Sequence, residues 1–246
     1  MLASLDPEMH LIRAHGAFRL RRMHPGAMLG NAADKGFGGL GLIDHAQLTP
    51  PHVVALHEHR NDEIVSYLRR GKMIHIDTAG NTEEICPDRL MVMNAGAGLS
   101  HEEQVAGIED IDMLQIFVRP EHADLPPGVQ FHDLAVARYG GNWRLLAGFN
   151  GSGAPTVVRQ RLLLSDQFLP AGDSATVSIR DGFDSWLYVF NGQVTVGENG
   201  YTRGDAIAAT DGDGIPKLRA VTDADLVLFE VDRNAPFSRA GTLSRR

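Results

Sequence analysis

The sequence predicts an all-β protein of two like halves, and three observations carry that expectation. Short apolar or alternating runs recur at strand length, over residues 39–44, 63–68, 73–77, 90–94, 113–118, 157–164, 175–179, 186–190, 193–196 and 224–231. Gly, Pro, Asn and Asp punctuate these runs, and no long pattern of helical period separates them. A hairpin signature also repeats: Tyr67-x-x-x-Gly71 matches Tyr188-x-x-x-Gly192 at an offset of 121. Further on, Pro87-Asp88 before an apolar run matches Gly204-Asp205 before another, at an offset of 117 and after a loop shorter by four residues. The proline-rich stretch 119–128 reads as the crossing between halves, giving expected domains 1–132 and 133–246.

A chain of 246 residues with 43% hydrophobic side chains is long and apolar enough to bury two modest cores. A formal charge of −8 argues against a polyanion-binding surface, so no direct nucleic-acid partner is expected. The single cysteine, Cys86, excludes an intrachain disulfide and a thiolate cluster, which suits a reducing cytoplasm. It reads as a small buried hydrophobe rather than a redox sensor. The N-terminal residues lack the charged start and unbroken apolar run of a signal peptide, and no stretch of about 18 apolar residues occurs, so no membrane partner is expected. Trp143 and Trp186 read as core or domain-junction anchors, and residues 238–246 as a frayed polar end.

Histidine is distributed unevenly: all eleven lie at or before His132. If the halves share a fold, only the first uses imidazole chemistry. At the repeat offsets, Ser178 and Arg180 stand in for His57 and His59, and Leu218 and Ala220 for His101 and Glu103. His57-Glu58-His59 and His101-Glu102-Glu103 are i, i+2 pairs, so on extended backbone each pair leaves one face of its strand. Two such strands facing one interior converge three imidazole nitrogens and one carboxylate, a set that suits a divalent first-row metal and leaves open positions for chemistry. Glu58 and Glu102 then point the other way. The run Asn94-Ala-Gly96-Ala-Gly98 predicts a tight turn that delivers His101 inward. Phe117, Met91 and Met93 lie on nearby strands and are candidate lining. His52 and His75 fall outside this set, as surface or satisfied core residues.

At these residues a resemblance emerges. His57-x-His59-x-x-x-Glu63 with Gly71, then Gly98-x-x-His101, resembles the two signature motifs of the cupin superfamily. More narrowly, His-x-His-Arg-x-x-Glu, Tyr-x-x-x-Gly, Asp77-x-x-Gly80-Asn81, Met93-Asn-Ala-Gly96-x-Gly98-x-x-His101-x-Glu103 and Leu114-Gln115-Ile-Phe-Val resemble pirin-like proteins, closely over about residues 39–120. The resemblance implies a bicupin, two jelly-roll-type β-barrels in tandem, with one metal in the first on His57, His59, His101 and Glu103. Many cupins use the first-motif glutamate, here Glu63, instead; Glu103 is favoured because it shares a strand face with His101, while Asn61-Asp62 bends the chain before Glu63. That pair also departs from the family, which often has Gly-Phe there.

The resemblance further implies a metal-dependent quercetin 2,3-dioxygenase, with iron expected first and nickel, copper, manganese, cobalt or zinc as alternatives. Its partners are then a flavonol and dioxygen, with Glu103, or as the alternative Glu63, as proton acceptor and carbon monoxide released on ring cleavage. Pirins of higher organisms imply a second reading, a metal- or redox-responsive regulator that binds a protein partner. A third is a cupin whose metal is structural.

Overall fold

The computed structural model describes residues 2–4, 11–30, 34–210 and 214–244. Among them, apart from one 3-10 turn at Ala27–Leu29, the regular structure is entirely β, and no helix is long and apolar enough to cross a membrane. The strands of the first half are β2 (Leu11–His15), β3 (Phe18–Met23), β4 (Leu40–Leu48), β5 (Val53–His59), β6 (Glu63–Arg70), β7 (Lys72–Asp77), β8 (Thr82–Ile85), β9 (Arg89–Asn94), β10 (Leu99–Ala106), β11 (Ile111–Val118) and β12 (Gly128–Asp133). They form a seven-stranded sheet, β12-β9-β6-β11-β4-β3-β2, and a four-stranded sheet, β5-β10-β7-β8. Leu20, Ile64, Met91 and Phe117 from the large sheet and Met73, Ile85 and Leu99 from the small one close a single interior between them.

The second half repeats the plan. Its large sheet joins β1 (Leu2–Ser4), β20 (Ala206–Ala209), β17 (Asp184–Asn191), β22 (Ala224–Val231), β15 (Leu162–Leu169), β13 (Arg144–Gly148) and β14 (Thr156–Val157) in that order. Its small sheet is β16 (Ser174–Val177), β21 (Ile215–Ala220), β18 (Gln193–Val196) and β19 (Asn199–Thr202). The repeated hairpin glycines do the same job, Gly71 at φ +76° and Gly192 at φ +84°. Two cupin barrels therefore stand in tandem, as the repeat predicts.

Period-two alternation explains how the barrels join. On β6, Ile64 and Leu68 enter the first interior while Val65 and Tyr67 face out; on β17, Leu187 and Val189 enter the second while Trp186, Tyr188 and Phe190 face out. The outward residues of both large sheets share one apolar cluster, so each large sheet is buried on both faces, as its near-continuous apolar runs require. Trp186, fully buried and stacked on Tyr188, is the junction anchor expected; Trp143 instead sits half-buried at the edge of the second interior.

The chain ends depart from a clean two-part division. The expected boundary falls within β12, the strand at one edge of the first large sheet, but β1 pairs with β20 of the second sheet, and residues 241–244 return to the first barrel. The tail is not frayed where it is described: Ser244 is fully buried and docks on Asp62, while residues 245 and 246 lie outside the described residues. The run expected at 157–164 is also interrupted, because Arg161 N and Leu162 N turn back onto Gln160 before β15 begins.

Matched polar pairs cross the apolar junction. Tyr67 donates to Asp166 at 2.8 Å, and at the same offset of 121 the Tyr188 hydroxyl meets His45 Nδ1 at 2.6 Å. His45 Nε2 reaches Asp112 at 2.9 Å, and Arg203 adds two bonds to the same carboxylate. Burial lowers the His45 pKa despite its bond to Asp112, so the imidazole is neutral near pH 7, and Arg203 Nη2 stands 3.0 Å from its Nε2. As pH falls below about 6.5 the unfolded chain takes up a proton that folded His45 refuses, so stability declines by up to ~1.4 kcal/mol per pH unit from this group. In thermal melts between pH 7.5 and 5.5, His45→Gln should lose less stability than the parent; parallel curves would contradict this assignment.

Candidate metal centre

β10 carries the centre because it lies between β5 and β7. His101 sits opposite His57 on β5 and Asp77 on β7, and Glu103 sits opposite His75. The β10–β5 register shifts between His101 and Glu103, so that three steps along β5 oppose two along β10. The expected turn precedes it: Gly96 has φ +52°, and a Cβ there would lie 2.1 Å from the Leu125 carbonyl oxygen. Glu58 is exposed and Glu102 half-exposed, consistent with the alternation that turns His57, His59, His101 and Glu103 inward.

The ligand atoms of His57, His59 and His101 lie within 4.8 Å of one another, and those of His75, His101 and Glu103 form a second such group. His101 belongs to both. Its Nε2 stands 3.1 Å from His57 Nε2, and its Nδ1 stands 3.4 Å from His75 Nδ1. The outer nitrogens are held: His57 Nδ1 donates to the Ala55 carbonyl at 2.8 Å and His59 Nδ1 to Asp62 at 3.2 Å. Nε2 of each ring then keeps its lone pair for the interior. The His59 Nε2 atom is buried with no hydrogen-bond partner among the described residues.

Burial pushes the His101 imidazole down to about 2, with the neighbouring His57, His59 and His75 rings acting in the same direction, and burial lowers His57 as well. Both are therefore neutral near pH 7, the state a metal ligand needs. Burial pushes the Glu103 carboxyl up to about 7, against a bond from Gln115 Nε2 at 3.2 Å. Phe117 packs 5.9 Å from the His59 ring, centroid to centroid, and Met91 and Met93 fill the interior with it.

Glu63 is placed elsewhere. It is fully buried at the barrel junction, where Arg159 pairs with it at 2.7 Å and Asn94 donates to it. His75 belongs to the cluster, contrary to expectation: it is fully buried, and its Nε2 meets Asp77 at 2.9 Å while its other nitrogen faces His101. The clue was present, since His75-x-Asp77 is another i, i+2 pair on the strand next to β10. His52 stacks on Phe18 away from the cluster. Cys86 is half-buried rather than buried; burial and the Asp88 carboxylate raise its thiol to about 11, which leaves it unreactive. In the second barrel, Leu218 and Ala220 are buried in the apolar interior and Ser178 and Arg180 are exposed, so the corresponding positions offer no imidazole.

Two family profiles cover most of the chain: Pirin matches residues 20–118, and Quercetinase C-terminal cupin domain matches residues 145–231. A Mycobacterium bovis relative, provisionally named a quercetin 2,3-dioxygenase, is 30% identical over 199 residues, covering 78% of this chain and 80% of its own. The chain belongs to the pirin family. An Escherichia coli relative named quercetin 2,3-dioxygenase is 24% identical over 197 residues, 80% of this chain and 84% of that one. The solved structure of the bacterial pirin YhhW from Escherichia coli in complex with nickel(II) superposes with a TM-score of 0.80 at 22% identity, covering 96% of this chain and all of that one. At that identity the likeness to YhhW establishes the pirin fold.

Proposed function

We propose that His57, His59 and His101 hold one divalent transition metal, with Glu103 as the adjoining carboxylate, and that the centre cleaves a flavonol-type ring with dioxygen. The observation that carries the reading is the convergence of three imidazoles, with the outer nitrogens of His57 and His59 held, on a point beside the buried Glu103. Nitrogen-rich donor sets of this kind suit iron first, and nickel, copper, manganese, cobalt or zinc as well; the nickel held by YhhW supports a divalent ion. When bound, the metal supplies Lewis acidity that lowers the pKa of a coordinated hydroxyl.

The chain's own residues account for the rest. Glu103 would accept the flavonol hydroxyl proton at its buried oxygen, and the bond from Gln115 supports this by fixing that carboxyl group. Phe117 and the methionines beside it exclude water on the inner side. His57 is half-exposed, which leaves the centre a solvent-facing side, and Val53 and Leu56 are exposed on the outer face of the same strand. The same exposed rim also favours a second reading, a metal-responsive surface covered by a protein partner.

Oxygen uptake with quercetin tests the choice. Protein reconstituted with Fe(II) or Ni(II) is expected to consume one dioxygen and release one carbon monoxide per flavonol, and His57→Ala to abolish both. A metal-loaded parent without flavonol-dependent uptake would reject the enzymatic reading and leave the partner surface.

A further inference from the structure

Asp62 is fully buried, yet no Lys or Arg is paired with it among the described residues. Four donors converge on its two oxygens. His59 Nδ1 lies at 3.2 Å, Leu243 N at 3.1 Å, Ser244 N at 3.1 Å and Ser244 Oγ at 2.7 Å. Three of these come from residues 243 and 244, some 180 positions away in sequence. The same segment is fastened on both sides. Thr242 N donates to the Arg60 carbonyl at 2.9 Å, its Oγ1 accepts from Arg60 N at 2.8 Å, and buried Arg119 donates from Nε to the Ser244 carbonyl at 2.6 Å. The approach is close: a Cβ on Gly241 would stand 2.2 Å from Ser244 Oγ and 2.5 Å from Asp62 Oδ1.

On the Asp62 side the backbone is set by Asn61, at φ +55°, whose side-chain oxygen accepts from Asp124 N at 2.6 Å. Asn61-Asp62 is the pair at which this chain departs from the family pattern. A carboxylate with four donors is the acceptor this place requires, because an amide would turn its own NH2 against one of them. We propose that residues 241–244 are a strap that fixes Asp62 as a positioning residue for His59, so that Nε2 of His59 faces the centre only while the strap is docked. The inference rests on the metal-centre reading for its consequence and on hydrogen bonding alone for its geometry. Partners one step removed from a metal ligand are worth about 10–100-fold in affinity.

The test uses the full chain and two readouts. Ni(II) affinity is measured by chelator competition, and the His59 tautomer is read by 15N NMR on the histidine-labelled, metal-free protein. The parent is expected to hold His59 as the Nδ1–H tautomer. Gly241→Ala, Ser244→Ala and Asp62→Asn should mix the tautomers and weaken Ni(II) by about 10–100-fold. Ser244→Thr, which keeps the hydroxyl donor, should retain both properties. Parent-like tautomer and affinity in Gly241→Ala and Ser244→Ala together would overturn the strap, and the metal-free melting temperature separates a fold that fails from a strap that opens. If the parent binds no Ni(II), the metal reading fails, and the tautomer comparison alone still decides for or against the strap.

Discussion

His101→Ala is expected to lose more than about 100-fold in Ni(II) or Fe(II) affinity, since the proposed centre would lose a ligand rather than a partner behind one. The same substitution is expected to make the metal-free protein more resistant to acid. Folded His101 protonates only near pH 2, whereas the unfolded chain takes up that proton near 6.5. The residue therefore withdraws stability as pH falls below about 6.5, by up to ~1.4 kcal/mol per pH unit, and alanine removes that drain. Chemical denaturation of the metal-free parent and variant at pH 7.5 and pH 5 measures it: the gap between them should narrow or reverse at the lower pH. An unchanged gap would show that burial does not hold the His101 imidazole down.

Asp166→Ala is expected to destabilise the protein by about 3–5 kcal/mol, because it breaks a buried pair and leaves the cation behind. Asp166 accepts two bonds from Arg144, at 2.8 and 2.6 Å, and one from the Tyr67 hydroxyl, and it is almost fully buried at the barrel junction. None of these contacts reaches the histidine cluster. Denaturant unfolding should show the loss while metal affinity of the folded variant stays within a few-fold of the parent. A loss under 1 kcal/mol would mean that the junction closes through its apolar cluster alone.

The fold was legible because both large sheets are buried on two faces. That produces the apolar runs at 63–68, 186–190 and 224–231, and the repeated Tyr-x-x-x-Gly marks the same hairpin in each barrel. Strands with one wet face, such as β10 and β21, mix polar and apolar residues and leave no such run. At the centre, the His-x-His and His-x-Glu spacings exposed the residues that strand alternation turns inward. His75-x-Asp77 carries the same spacing yet does not stand out, since sequence does not say which strands pair; β7 gains its meaning only by lying beside β10. Asp62 and Ser244 were illegible for a different reason: their bond links residues far apart through a loop and a tail, where no periodicity operates.

The central claim is that one divalent metal sits among His57, His59 and His101. Elemental analysis of the purified, reconstituted chain beside a His57→Ala/His101→Ala variant tests it most directly. The account predicts about one iron, nickel, copper, manganese, cobalt or zinc per parent chain and almost none in the variant. Equal metal in both proteins, or none in either after reconstitution, would contradict it.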